Sequence, residues 1–87
     1  MEATLEIKNR LGLHLRAAST LAETVKKFSA TVTLGNGEQA VNARSVTNLI
    51  MLGAGQGTKL KVRTEGSDAR EALKAVQELF DDRFGEE

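Results

Sequence analysis

The chain has 87 residues, 12 Lys and Arg against 12 Asp and Glu, one His, three Phe, and no Cys, Trp or Tyr. That length suits one domain spanning residues 1–87 with a single small core, burying roughly 60–65% of the unfolded surface. Without cysteine there is no disulfide, thiolate zinc site, iron–sulfur cluster or thiol catalysis, and a lone histidine excludes a two-His metal site within the chain. Balanced charge and few aromatics argue against a general nucleic-acid binder or a base-stacking platform. Met1–Thr4 shows no basic segment leading into an apolar run, and no apolar stretch approaches the roughly 18 residues that span a bilayer. A soluble cytoplasmic protein is expected.

Ala3, Leu5 and Ile7 alternate with Thr4, Glu6 and Lys8, the period of a strand with one buried face. Asn9 to Gly12 reads as a loop. Leu21, Ala22, Val25 and Phe28 recur at helical spacing, predicting a helix over residues 16–27. Ala30, Val32 and Leu34 give a second strand, Gly35-Asn36-Gly37 a hairpin turn, and Gln39 to Ala43 a third strand. Ser45 suits the cap of a short helix that Gly53 ends. Its Leu49-Ile50-Met51-Leu52 run is apolar nearly all round, so these residues are expected mostly in the core, with Val46 as the exposed member. Leu60 and Val62 alternate with Lys59, Lys61 and Arg63 in a fourth strand. Ala69, Ala72, Leu73, Val76 and Phe80 stripe a last helix, with Asp68 and Glu71 near its positive end. Glu86 and Glu87 are expected to fray. The order βαββαβα predicts an open-faced α/β sandwich, an antiparallel sheet with its helices on one face.

Chemistry concentrates in Gly12-Leu13-His14-Leu15-Arg16-Ala17-Ala18, where a loop becomes a helix. The first N–H groups of that helix lack intrahelical partners, and the dipole adds positive charge. Arg16 adds a fork of donors suited to phosphate. Two readings stand open on the residues alone. His14 is a surface or capping residue that touches an anion, or it carries a phosphoryl group on its nucleophilic ring nitrogen. No Ser-His-Asp arrangement exists, and the Gly53–Gly57 loop lacks the Lys-Ser/Thr of a phosphate-binding P-loop.

Gly-Leu-His followed by Leu-Arg-Ala-Ala resembles the phosphohistidine motif of HPr, the phosphocarrier family of the bacterial phosphoenolpyruvate:sugar phosphotransferase system. The similarity extends over roughly residues 3–84. Arg44-Ser45-Val46 matches the family's second region, and Leu52-Gly53, Gln56-Gly57-Thr58 and Glu65-Gly66-Ser67-Asp68 follow its pattern. The resemblance implies an α+β fold with a four-stranded antiparallel sheet of order 1423 and three helices on one face. It also implies that His14 is phosphorylated on Nδ1 by enzyme I and passes the group to a His of an enzyme IIA domain. Arg16 and the backbone N–H groups of Arg16 and Ala17 would steady the phosphate. Ser45 falls at the position modified by HPr kinase/phosphorylase. Leu15, Ser19 and Val46 would form the docking surface of a monomeric carrier that is not itself an enzyme and needs no cofactor or metal.

Three departures mark the chain. Ala17 stands where the family usually has Pro, and so keeps an N–H at the first helical turn. Leu15 is bulkier than the small residue often found after the His. Thr47 and Asn48 replace residues that are often apolar or basic. Lys26 and Lys27 complement the first helix's C-terminus or steer partners. Two alternatives accompany the transport reading. One is an HPr-like regulator of carbon or nitrogen metabolism without sugar transport, and the other is a small anion-binding module with no covalent phosphate.

Overall fold

A computed structural model describes residues 1–86. The elements run β1 (Glu2–Glu6), α1 (Leu15–Val25), β2 (Thr31–Asn36), β3 (Gln39–Asn42), α2 (Val46–Met51), β4 (Lys59–Glu65) and α3 (Ala69–Asp81), followed by a 3₁₀ turn at Arg83–Gly85. The expected βαββαβα order is therefore present. The strands form one sheet in the order β1-β4-β2-β3, every neighbouring pair antiparallel.

Register follows the hydrophobic pattern, because a one-residue slip would turn each buried side chain to solvent. Leu5 faces Leu60, and Leu34 faces Val62. Val32, Leu34, Leu60 and Val62 are fully buried under Leu21 and Val25 of α1, Leu49 of α2, and Ala72, Val76 and Phe80 of α3. The buried Thr64 hydroxyl donates to Ala69 O at 2.9 Å, so the one polar side chain on the covered face of β4 is satisfied. The opposite face carries Glu2, Thr4, Glu6, Lys59, Lys61 and Arg63, all exposed.

Three local expectations are corrected, in the hairpin, in α2 and at Glu86, and one is refined at Asp68. Asn36 lies in β2 opposite Gln39, so the hairpin turns through Gly37 and Glu38. Only Gly37 takes a positive φ, +67°, as a two-residue turn with Gly first requires. Asp68 occupies the N-cap position of α3 but makes no side-chain cap bond. Its carboxylate instead accepts from the N–H groups of Ser29 (2.9 Å) and Ala30 (2.8 Å), tying the α1–β2 connection to α3. In α2 the apolar run divides: Leu49 and Leu52 are buried, whereas Ile50 is 40% and Met51 70% exposed. Val46, expected outside, is half-buried and packs against the core. A six-residue helix lying on a sheet can cover only one side of itself. Glu86 does not fray, as described below, and Glu87 lies outside the described residues.

The glycine-containing segment between α2 and β4 has a structural task that its sequence did not announce. Leu13 N–H donates to Ala54 O at 2.9 Å, Gly57 N–H to Ile7 O at 2.8 Å, and Ile7 N–H to Thr58 O at 2.9 Å. Gln56 Nε2 donates to Lys8 O at 3.1 Å. These bonds clamp the β1–α1 loop along its length and so place the residue that follows it, His14.

Candidate functional site

His14 is the N-cap residue of α1, with extended backbone (φ −82°, ψ −175°) and no side-chain cap bond. Its carbonyl accepts the first helical bond, from Ala18 N–H at 2.8 Å. The N–H groups of Leu15, Arg16 and Ala17 precede that bond and form the positive end of the helix dipole. Ala17 and Ala18 are fully buried and seat the first turn on the core, while Leu15 and Arg16 are exposed. His14, Leu15 and Arg16 share an open depression of about 820 Å³ with Arg10, Leu11, Gly85 and Glu86. Arg10, Arg16, His14 and the start of α1 thus line one space together with Glu86, and the cationic residues and helix start suit it to an anion.

The tail enters this space by an abrupt reversal. Arg83, Phe84 and Gly85 take φ of 56°, 55° and 77° in succession. For the two residues with side chains, the left-handed region costs about 1–2 kcal/mol each. Phe84 offsets this by burial against Phe80, with ring centroids 5.0 Å apart. The reversal delivers Glu86 onto the histidine. Its Oε2 lies 2.6 Å from His14 Nε2, and its Oε1 accepts from Asn9 Nδ2 at 2.9 Å. The two partners remain accessible in part, the His14 side chain 31% and the Glu86 side chain 14% exposed. Asn9 is fully buried, and its amide also donates to Gly12 O at 2.7 Å.

Partial burial disfavours the charged form of Glu86. The hydrogen bonds from Asn9 and His14, together with the nearby charges of His14 and Arg16, outweigh it and hold the carboxyl below its ordinary value of 4.5. A depressed carboxylate contributes stability that is present above the unfolded value and lost as pH falls through the folded one. In a carbon-13 titration, Glu86 is expected to remain mostly ionised at pH 4.5, where an ordinary glutamate is half protonated. A midpoint at or above 4.5 would show that the tail does not dwell on His14 in solution.

The other expected site residues lie nearby in the chain or on the neighbouring helix. Ser19 is half-buried in α1. Ser45 caps α2, its hydroxyl accepting from Asn48 N–H at 3.3 Å. Arg44, beside it, donates from Nη2 to Phe28 O at 2.7 Å. Lys26 is the C-cap of α1, and both Lys26 and Lys27 are exposed. Leu11, Ile50 and Met51 join Leu15 as exposed large apolar side chains. Asn9, Arg10, Leu11 and Glu86 at the site were not singled out from sequence. Only Asn9 gave a local sign, as the polar start of a loop ending in glycine.

Among the described residues there is no cluster of metal-ligating side chains, and no helix is long and apolar enough to cross a membrane. A partly exposed histidine at a helix start, beside an arginine, defines the class: a small open-faced α/β sandwich with a single imidazole at the edge of a polar depression. The family model for the PTS HPr component phosphorylation site matches residues 1–82. Phosphocarrier protein HPr of Xylella fastidiosa is 41% identical over 87 residues, covering 100% of this chain and 98% of that protein. Phosphocarrier protein NPr of Shewanella violacea is 41% identical over 86 residues, covering 99% and 94%. A crystal structure of HPr from Thermoanaerobacter tengcongensis superposes with a TM-score of 0.96 at 41% identity, covering 100% of this chain and 98% of that one. The chain belongs to the HPr family.

Proposed function

We propose that this chain is a phosphocarrier of the phosphoenolpyruvate-dependent sugar phosphotransferase system, taking a phosphoryl group from phospho-enzyme I on His14 Nδ1 and passing it to a His of an enzyme IIA domain. The observation that carries this reading is His14 at the start of α1 beside Arg16, in a chain that matches the HPr family over nearly its whole length. Transfer needs an in-line approach and stabilisation of charge on the phosphoryl oxygens. Arg16 and the N–H groups of Arg16 and Ala17 supply that charge stabilisation, and the chain needs no general base of its own. Turnover belongs to the partners, so the protein is a transiently phosphorylated carrier and not an enzyme. It works as a cytoplasmic monomer without a cofactor.

Docking uses Leu15, Ser19 and Val46, extended by Leu11, Ile50 and Met51, whose exposure provides the apolar area for short-lived complexes. Ser45 is a second modification site, for HPr kinase/phosphorylase. A phosphate there adds negative charge to the docking face. Ser45→Asp is expected to slow enzyme I-dependent phosphorylation about tenfold, the effect of about 1.4 kcal/mol of like-charge repulsion. An unchanged rate would leave Ser45 as a helix cap only. The relatives named HPr and NPr are both phosphocarrier proteins at 41% identity, so the similarity supports the carrier chemistry for either output, sugar transport or, as the second reading, regulation of carbon or nitrogen metabolism.

The test is intact mass after incubation with phosphoenolpyruvate and a catalytic amount of enzyme I. One added phosphoryl group, acid-labile and alkali-stable, supports the carrier reading. No addition with a competent enzyme I favours an anion-binding module that forms no covalent phosphate.

A further inference from the structure

Glu86 contacts one nitrogen of His14, Nε2, and not the other. Its carboxyl is ionised at neutral pH, so both oxygens accept hydrogen bonds and neither donates. The Asn9 amide must present its NH₂ to Glu86, because the flipped orientation would set Asn9 Oδ1 against two acceptors, Gly12 O at 2.7 Å and Glu86 Oε1 at 2.9 Å. Asn9 keeps this orientation although its buried Oδ1 is left without a partner. With Oε1 occupied by Asn9, Oε2 at 2.6 Å takes its hydrogen from His14 Nε2. A neutral imidazole with hydrogen on Nε2 has its lone pair on Nδ1. Nδ1 has no hydrogen-bond partner among the described residues.

We propose that Glu86 is a positioning residue for phosphotransfer: it holds His14 as the Nε2–H tautomer, with the Nδ1 lone pair available to the donor, and keeps a negative charge beside the ring as the ring becomes cationic. The proposal rests on the reading of His14 as phosphoryl acceptor. In the transfer step the Nδ1 lone pair forms the new N–P bond. The bond from phosphorus to the donor's histidine nitrogen breaks, and its electron pair returns to that nitrogen. Nε2 keeps its proton, and the positive charge on the ring lies against the Glu86 carboxylate, as a carboxylate stabilises the imidazolium of a catalytic triad. The fold builds this contact deliberately. Three successive left-handed residues persist only where surrounding structure over-determines them, and buried Phe84 on one side and Asn9 on the other supply that constraint.

Glu86→Ala in the full chain tests the role, with two readouts on one sample. Long-range nitrogen-15 correlation of the unphosphorylated protein above pH 8 reads the His14 tautomer. Single-turnover phosphorylation by phospho-enzyme I reads the rate. In the wild type the ring is expected as Nε2–H. In Glu86→Ala the tautomers mix and the rate falls about tenfold, the lower bound for a hydrogen bond to a charged group. The amide spectrum from the same sample reports that the fold is retained. An unchanged tautomer overturns the proposal, and if the rate nevertheless falls, Glu86 acts in docking. A shifted tautomer with an unchanged rate also overturns it. Failure of the wild type to accept phosphate overturns the carrier reading and this proposal with it. A phosphorylated wild type with the same tautomer in both proteins overturns the Glu86 role alone.

Discussion

His14→Ala is expected to take up no phosphoryl group from phospho-enzyme I while keeping its fold. The chain has no other histidine. The loss is therefore complete and cannot be masked by transfer to a neighbouring imidazole. The ring is 31% exposed and contributes one hydrogen bond, to Glu86, so its removal costs about 1 kcal/mol or less after screening by solvent. Intact mass and a thermal melt on the same sample check both halves of the statement. Retained acid-labile label would sink the assignment of His14. A large drop in melting temperature would show that the histidine is structural.

Gly12→Ala is expected to damage stability and transfer together. Gly12 has φ +72°, and an added Cβ would lie 2.6 Å from Ala54 O and 2.8 Å from Gly55 Cα. Left-handed backbone costs about 1–2 kcal/mol for Ala, and displacing packed backbone costs about 1–3 kcal/mol more. A loss of about 3 kcal/mol follows, measurable by urea denaturation. The displaced atoms belong to the clamp on the site: Leu13 N–H bonds Ala54 O, and Gly12 O accepts from Asn9. Phosphotransfer should fall by more than an order of magnitude, since small misplacements of a reacting group are costly. Gly57→Ala is the control. Its φ is +88°, but nothing lies within 4 Å of the added Cβ, so it carries the strain without the collision. Equal destabilisation of the two variants would mean that the two loops do not approach as closely as the structure shows.

Glu86 and His14 are separated by 72 positions in the chain, so a change at either end of the molecule alters the same depression. On the proposed docking surface, Ile50 and Met51 are the exposed apolar side chains of α2 and Val46 is half-buried beside them, so substitutions that test docking belong at Ile50 and Met51 first.

Much of the architecture was legible from local pattern. Period-two alternation located β1, β2 and β4, the glycine-rich turn placed β3 after β2, and period 3.6 selected Leu21, Ala22 and Val25 of α1 and every buried residue of α3. Both signals arise because a side chain's direction is set by its own backbone geometry. Ser45 as a cap was legible for the same reason, since its partner Asn48 is three residues away. His14 and Arg16 were legible because the residues that make the helix start are consecutive. The fold name and strand order came from the family motif, not from periodicity.

Tertiary structure decided what depends on distant partners. Asp68 has the composition of a helix cap, yet it bonds Ser29 and Ala30, 39 and 38 positions away. Ile50 and Met51 look like core in sequence, and only the placement of α2 on the sheet leaves them outside. The acidic tail has no periodicity, and the left-handed turn that brings Glu86 to His14 is made by Arg83 and Phe84, residue types that carry no sign of positive φ. The sequence by itself determined the order of the elements, the buried stripes of the strands and of the two long helices, and the candidate histidine, because those follow from short-range geometry and the hydrophobic pattern. Only the folded chain decided how that histidine is held, because its partner arrives through a long-range closure that strain opposes and the burial of Phe84 secures.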